Sequence, residues 1–188
     1  MRFVAAALFM LLFTGEVLGQ GAVYDLTVTV DRTKINKSPW DGVPGLGSSR
    51  ANINSAPDMA VCIVQVEGKP QCLWRPKGPR LLSVCQNAFT CKFEKVALPP
   101  APFGLLFIDI DIRLHDLVDL VIVSGNSTAA GEADVERALL AAMKTLTPGL
   151  SETAKERDVE KAKVMPLQQC TTSACRLSQS EFRLTPRK

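Results

Sequence analysis

The stretch FGLLFIDIDIRLHDLVDLV (103–121) combines one of the most apolar segments of the chain with four aspartates and the only histidine. Residues 103–111 and 117–124 have the composition of two β-strands joined by a short connection. Carboxylates are costly to bury without a partner, so aspartates in such a segment require an explanation. Asp109 and Asp111 are two residues apart and therefore point to the same side of a strand. The pattern predicts aspartates at the rim of a sheet and not in its core.

Shorter strand patterns lie on both sides of this segment. YDLTVTVD (24–31) alternates apolar and polar residues, and DMAVCIVQVE (58–67) regains strand character after a long loop rich in Gly, Pro, Ser and Asn. Many short strands separated by loops predict an all-β sandwich. Further strands are predicted at 80–85, 91–97 and 178–186.

The chain changes character after Gly125. EADVERALLAAMKTL (132–146) has the apolar spacing of a helix. SETAKERDVEKAKVM (151–165) has a thin apolar face and predicts a solvated helix or a flexible linker. A helical insertion therefore interrupts the sandwich. The expected divisions are a β-sandwich of 21–125 plus 178–188 and a helical insertion or linker at 126–177.

Residues 1–20 have the pattern of a secretory signal peptide. Met1-Arg2 is a short basic start, residues 4–13 form an apolar run, and Val17-Leu18-Gly19 is a small-residue cleavage site. The run is too short to span a bilayer, and a buried core helix is the alternative interpretation. The pattern predicts a protein secreted to the periplasm or the extracellular space.

The composition of the remaining chain limits the function classes. About 168 residues would remain after cleavage, which suits one domain with an adequate core. The formal net charge of +3 does not by itself suggest a nucleic-acid binder. No second long apolar run follows the first, so the mature chain is not expected to span a membrane.

Six cysteines fit an exported protein that contains disulfide bonds. Six cysteines allow fifteen pairings, and the sequence does not choose among them. A zinc site is the alternative, but no C-x-x-C pair occurs and His115 is far from the cysteines in the sequence. Nearest-neighbour pairing is the simplest hypothesis, and it joins Cys62 to Cys72, Cys85 to Cys91 and Cys170 to Cys175.

Aspartates recur at predicted loop positions. Several carboxylates that converge repel one another unless a cation neutralises them. Ca²⁺ is the natural candidate, because it takes six to eight oxygen ligands in flexible geometry. The predicted metal ligands are Asp41, Asp58, Asp109, Asp111 and Asp116. An alternative is that these are turn residues on a solvated surface. Asp119 is expected to be such a residue on the following strand.

The arrangement of these aspartates resembles that of the C2 domain family. Asp41 and Asp58 match the ligand pair of the first calcium loop, and Asp109, Asp111 and Asp116 match the D-x-D and following Asp of the third loop. The resemblance covers about residues 24–124 and 178–186. It implies an eight-stranded antiparallel β-sandwich that binds calcium in loops at one end.

The sequence departs from the C2 pattern in several ways. Asp58 is followed by Met59-Ala60 and not by Pro-Tyr, and sixteen residues separate Asp41 from Asp58. The gap between Asp111 and Asp116 is short, so Asp119 is an alternative last ligand. The six cysteines and the insertion are not general C2 features. D-x-D alone occurs by chance, so the match depends on the earlier aspartates.

We expect a non-enzymatic, calcium-dependent binding module that docks to anionic phospholipid headgroups or to a protein partner. His115 would be the general base of a hydrolase, but no nucleophile motif accompanies it. The alternative is a secreted interaction or effector protein whose sandwich is purely structural, with contacts made by the insertion. Basic residues near Trp74 suit an anionic surface, although ordinary solvated charge is the favoured explanation for them. These residues are Lys69, Arg75, Lys77 and Arg80.

Overall fold

The stretch 103–121 contributes to two neighbouring strands inside a five-stranded sheet. The computed structural model describes residues 22–32, 56–77, 80–83, 85, 88–110, 116–146 and 162–188, with the backbone alone for 74–77, 80–83 and 116. The strands are β1 (Val23–Val30), β2 (Met59–Val64), β3 (Gln71–Cys72), β4 (Trp74–Lys77), β5 (Arg80–Ser83), β6 (Thr90–Ala97), β7 (Phe103–Asp109), β8 (Asp116–Ser124), β9 (Lys163–Pro166), β10 (Cys175–Arg176) and β11 (Ser180–Pro186). The helices are α1 (Ala129–Leu146) and α2 (Leu167–Thr172).

The strands form two principal sheets and a separate hairpin. One sheet has the order β10-β11-β1-β6, and the other has the order β3-β2-β7-β8-β9. Strands β4 and β5 pair only with each other among the described residues. The two principal sheets pack face to face around a shared apolar core, and the rings of Phe107 and Phe182 meet across it with centroids 5.7 Å apart. The expectation of a mainly β, sandwich-like fold is confirmed.

Hydrophobic patterning explains which sheet lies in the centre. In β6 and β11 buried and exposed residues largely alternate, as in strands with one solvated face. Every residue of β2 and β7 is buried, because their sheet is covered on both faces. Its second face packs against α1 through a separate apolar cluster that includes Ile122, Leu139 and Met143. The fold therefore has three layers, with the five-stranded sheet in the middle.

A glycine allows the helix to approach the central sheet. A Cβ atom added at Gly104 on β7 would lie 2.7 Å from side-chain atoms of Leu139 on α1. Real Cβ atoms do not come this close to other carbon atoms, so any larger residue would push the helix side chain away. The position requires glycine because of close packing and not because of its backbone angle.

The segment between β8 and β11 is more varied than a helical insertion. The helix predicted at 132–146 is present and starts earlier, at Ala129. Residues 163–165 were predicted to be part of a solvated helix or flexible linker, but with Pro166 they form β9, which pairs in parallel with β8. Two parallel strands require a connection that returns the chain to the end of the sheet where the first strand began, and a helix is the usual connection of this kind. The expected eight antiparallel strands are therefore corrected to eleven among the described residues, with one parallel pair.

The nearest-neighbour disulfide hypothesis is confirmed. Cys62 pairs with Cys72, Cys85 with Cys91, and Cys170 with Cys175. The first bond joins directly opposite residues of β2 and β3. Three disulfides are typical of an oxidising, extracellular-type environment. The predicted signal peptide lies outside the described residues. In the described part of the chain, no helix is long and apolar enough to cross a membrane.

Candidate metal site and its surroundings

Several strand ends meet at one end of the sandwich, which we call the aspartate end. There β1 and β7 finish while β2, β6, β8 and β11 begin. Asp109 is the partner of Met59 on one side and of Asp116 on the other, and Asp58 immediately precedes Met59. The pairing therefore brings three predicted ligands to the same end of the central sheet. Asp41 and Asp111, the other two, lie outside the described residues.

Asp109 is the most buried of the predicted ligands. Its Oδ1 atom accepts a hydrogen bond from the backbone N–H of Asp58 at 2.7 Å, and the Asp58 carbonyl accepts one from Ile110 N–H at 2.9 Å. The residue is 0% exposed, so the expectation that it lies on an exposed rim is wrong. Its burial follows from the covering of both faces of β7. The backbone hydrogen bond holds the carboxylate at the point where two strands diverge.

The described residues do not by themselves form a metal-binding group. No group of three or more His, Cys, Asp or Glu side chains in the described ranges is placed to hold a metal ion. Asp58 is partly exposed, and for Asp116 the strand position alone is described. Calcium needs six to eight oxygens, so any complete site here must draw further ligands from elsewhere, such as water or neighbouring loops.

Asp119 has a structural role that the sequence did not reveal. It was expected to be a solvated strand residue, but it is only 8% exposed. Its carboxylate accepts hydrogen bonds from Ser178 N–H at 3.2 Å, Gln179 N–H at 2.8 Å and Ser180 Oγ–H at 2.7 Å. Burial raises the pKa of this carboxyl above its ordinary value, and these hydrogen bonds oppose the shift. A carboxylate in the centre of an otherwise apolar strand was the available signal.

Asp119 faces the other sheet because it lies opposite Phe107 and shares a face of β8 with Val121 and Val123, and a β-bulge adds Val118 to that face. The pairing of β7 with β8 shifts between Phe107 and Ile108, whose partners are Asp119 and Leu117. Val118 lies in the core between the two sheets, and Asp119 bonds the turn before β11 in the opposite sheet. Consecutive strand residues normally face opposite sides, and bulges are the usual way to re-aim a side chain.

A second carboxylate organises the other end of the sandwich. Asp25 on β1 accepts hydrogen bonds from Arg187 Nε and Nη2 at 2.5 and 3.0 Å and from Lys95 N–H at 3.1 Å, and it pairs with Lys92 Nζ at 3.1 Å. The hydrogen bonds from Arg187, followed by those from Lys95 and Lys92, hold the pKa of Asp25 well below its usual range. Lys95 has a φ of 55° where β6 bulges opposite Asp25. These contacts hold Arg187, the residue before the C-terminal lysine, against Asp25 of β1.

The candidate residues for an anionic surface lie on two hairpins. Lys69 is exposed in the connection between β2 and β3. Arg75 and Lys77 belong to β4, and Arg80 begins β5. Lys77 is directly opposite Arg80 in the pairing, so two cationic positions are adjacent at the end of this hairpin.

A groove runs between α1 and the β2–β3 connection. Its volume is about 580 Å³, and its lining includes Val64, Val66, Ala138, Ala142 and Leu146. Val66 is 50% exposed and presents an apolar side chain to the groove. The volume lies within the range of small-ligand sites.

Comparison with known proteins returned no match from protein-family models, curated proteins or solved structures. The C2 resemblance therefore rests on the aspartate pattern of the chain.

Proposed function

We propose that the protein is a secreted, non-enzymatic, C2-like module that binds calcium through loop aspartates and docks to an anionic surface. The observation that carries this proposal is the strand pairing that brings Asp58, Asp109 and Asp116 to one end of the central sheet. Asp41 and Asp111 belong to the connections that enter and leave these strands in the sequence. In this proposal all five carboxylates contribute oxygens to calcium.

The chemistry of the aspartate end favours a hard divalent cation. Ca²⁺ prefers carboxylate and carbonyl oxygens and tolerates irregular geometry. Converging carboxylates also repel one another, and a divalent cation offsets that repulsion. Asp109 has its Oδ1 oriented by a backbone N–H, which is the kind of support that ligand carboxylates commonly have.

The sandwich supports a C2-like interpretation with additions. The first strand lies between β6 and the C-terminal strand β11, so the tail completes the sheet as the resemblance implies. The third layer formed by α1 and the parallel strand β9 are additions to that plan. The helix covers the face of the central sheet that is turned away from the four-stranded sheet, and β9 extends that sheet beside β8.

Two features support docking to an anionic surface, the calcium ion proposed at the aspartate end and the cationic residues of the β2–β3 and β4–β5 hairpins. A bound calcium ion converts a negative loop region into one that attracts phosphate oxygens. The adjacent positions of Lys77 and Arg80, with Lys69 and Arg75, would add attraction to anionic headgroups, at about 1 kcal/mol for each basic residue near a charged membrane.

Calorimetric titration with calcium tests the proposal. The wild-type protein should bind calcium, and Asp109→Asn and Asp116→Asn should weaken binding strongly. Asn keeps an oxygen that can accept the Asp58 N–H bond, so the first substitution removes charge with little change in shape. Asp134→Asn is the matched control, because this carboxylate lies on α1 and is 41% exposed. Equal calcium binding by all four proteins would show that the ligands are wrong.

Vesicle co-sedimentation tests the docking step. Vesicles containing phosphatidylserine should retain the protein with calcium and release it with a chelator, whereas neutral phosphatidylcholine vesicles should not retain it. Lys77→Glu combined with Arg80→Glu should weaken retention without changing calcium affinity. Calcium binding without vesicle binding would favour a protein partner.

The groove beside α1 supports a second candidate. In an interaction protein with a purely structural sandwich, segment 126–177 would make the contact, and the exposed Val66 opposite α1 provides an apolar surface for it. If calcium changed neither the stability of the protein nor its binding to vesicles, this candidate would be favoured.

A further inference from the structure

The groove between α1 and the β2–β3 connection has walls that are held in place by contacts outside it. On one side, Leu139 of α1 packs against Gly104 of β7, which holds the helix on the central sheet. On the other side, the disulfide between Cys62 and Cys72 joins β2 to β3 and closes the connection between them. Binding between rigid walls costs little ordering entropy, so the groove is suited to a small ligand.

Most of the groove is lined by apolar side chains. Val64 and Ala142 are almost fully buried, at 2% and 3% exposure, whereas Val66 is 50% exposed. Pro70 and Leu146 add further apolar surface. The volume of about 580 Å³ falls within the range of ligand sites, which are mainly apolar with a few polar groups that fix orientation.

A single cation lies beside this apolar surface. Of the described residues that line the groove, Lys69 alone carries a charge, and it is exposed. No ion pair of Lys69 is found in the described part of the chain. The polar side chains of Gln65 and Thr145 are neutral, and the Thr145 hydroxyl donates to the Ala141 carbonyl at 2.7 Å. Charge complementarity therefore favours a ligand with an apolar body and one anionic group.

We propose that the groove binds a small single-chain carboxylate, with the hydrocarbon chain against the apolar lining and the carboxylate beside Lys69. An exposed ion pair contributes only about two- to five-fold in affinity, so burial of the chain supplies most of the binding free energy. Each buried methylene raises affinity by up to about four-fold. The inference concerns a different part of the molecule from the aspartate end and does not rest on calcium binding.

Calorimetric titration with sodium hexanoate, octanoate and decanoate in the presence of a calcium chelator tests the role of the chain. Affinity should rise in that order, by up to about four-fold for each added methylene. Decanol has the same chain as decanoate without the charge, and it should bind about two- to five-fold more weakly than decanoate. Equal affinity for hexanoate and decanoate would overturn the inference, because the chain would then lie outside the groove.

Two variants of the full chain locate the ligand. Ala141→Leu places a larger side chain in the groove and should weaken decanoate binding by about ten-fold, the effect of excluding two methylenes. Ala130→Leu is the matched control, because residue 130 is exposed on the same helix and is not part of the lining, so its affinity should equal that of wild type. Lys69→Met keeps the apolar stem and removes the charge. It should abolish the preference for decanoate over decanol and leave decanol binding unchanged.

The outcomes separate this inference from the proposed function. Decanoate binding that is absent in wild type, or unchanged in Ala141→Leu, would overturn the inference. A preference for decanoate that persists in Lys69→Met would also overturn it, and this variant alone decides if Ala141→Leu does not fold. Because the titrations contain a chelator, a protein that binds decanoate but not calcium would keep this inference and lose the proposed function.

Discussion

Leu139 of α1 lies so close to Gly104 of β7 that a Cβ atom at position 104 would be 2.7 Å from its side chain. This approach packs the third layer onto the central sheet. Gly104→Ala should destabilise the protein by about 1–3 kcal/mol, the usual effect of overpacking a core. Denaturant unfolding measures this loss of stability, which appears as a lower midpoint with an unchanged m-value.

Gly131→Ala is the matched control for that substitution. Gly131 lies in the first turns of α1, and its nearest neighbour to a new Cβ would be Pro102 at 3.6 Å, an ordinary contact. Because alanine favours a helix over glycine, the variant should be about 0.5–1 kcal/mol more stable than wild type. If Gly104→Ala were as stable as Gly131→Ala, the close packing of the helix would be contradicted.

Asp119→Asn should destabilise the protein by about 1–3 kcal/mol near neutral pH, because the amide cannot accept all three hydrogen bonds. The folded-state pKa of Asp119 is raised by burial above 3.8, so the folded protein binds the proton more tightly than the unfolded chain does. The contribution of the Asp119 carboxyl is therefore most favourable below 3.8 and declines as pH rises through the folded-state pKa. Urea unfolding of wild type and Asp119→Asn, from below pH 3.8 to neutral pH, measures the difference between their free energies of unfolding. If the advantage of wild type grew as pH rose through the folded-state pKa, the raised pKa of Asp119 would be contradicted.

Asp25→Asn should show the opposite pH dependence. The pKa of Asp25 is lowered, chiefly by Arg187, so its ionised form stabilises the folded state. That stabilisation is present above 3.8 and is lost as pH falls towards the lower folded-state pKa. The stability advantage of wild type over Asp25→Asn should therefore shrink in acid. An advantage that persists unchanged at pH 2 would exclude the ion cluster as its source.

Removal of the Cys62–Cys72 disulfide should destabilise the protein by about 2–3 kcal/mol, according to the loop-closure relation. The two residues are 10 positions apart. The double variant Cys62→Ala, Cys72→Ala isolates this bond, and thermal unfolding without reductant measures the change. Peptide mapping of the unreduced wild-type protein should recover three nearest-neighbour pairs. A crossed pair would contradict the fold.

The central part of the fold could be predicted from local pattern. The alternation of apolar and polar residues at 24–31 predicted β1, and the apolar run at 103–109 predicted β7. Burial of one face of a strand produces the first pattern, and burial of both faces produces the second. The third layer was missed, although a fully apolar strand such as β2 indicates coverage on both faces. The short strands β3, β9 and β10 carry too few residues to show a period, so only tertiary pairing reveals them.

The candidate site was predictable in part. Grouping Asp58, Asp109 and Asp116 required only that three strands, β2, β7 and β8, be recognised as neighbours. The burial of Asp109 and the role of Asp119 depend on contacts with residues 51 or more positions away, which a local pattern does not contain. The bulge that places Val118 on the same face as Asp119 has no distinctive residue of its own.

Thermal melting of the wild-type protein during a calcium titration tests the central claim most directly. Calcium that binds only the folded state at 100 times its dissociation constant adds about 2.7 kcal/mol of stability. For a domain of this size, that raises the melting temperature by roughly 5–10 °C. Asp134→Asn should show the same rise, Asp109→Asn a much smaller one, and magnesium at equal concentration little effect. An unchanged melting temperature of the wild-type protein at millimolar calcium would contradict the account.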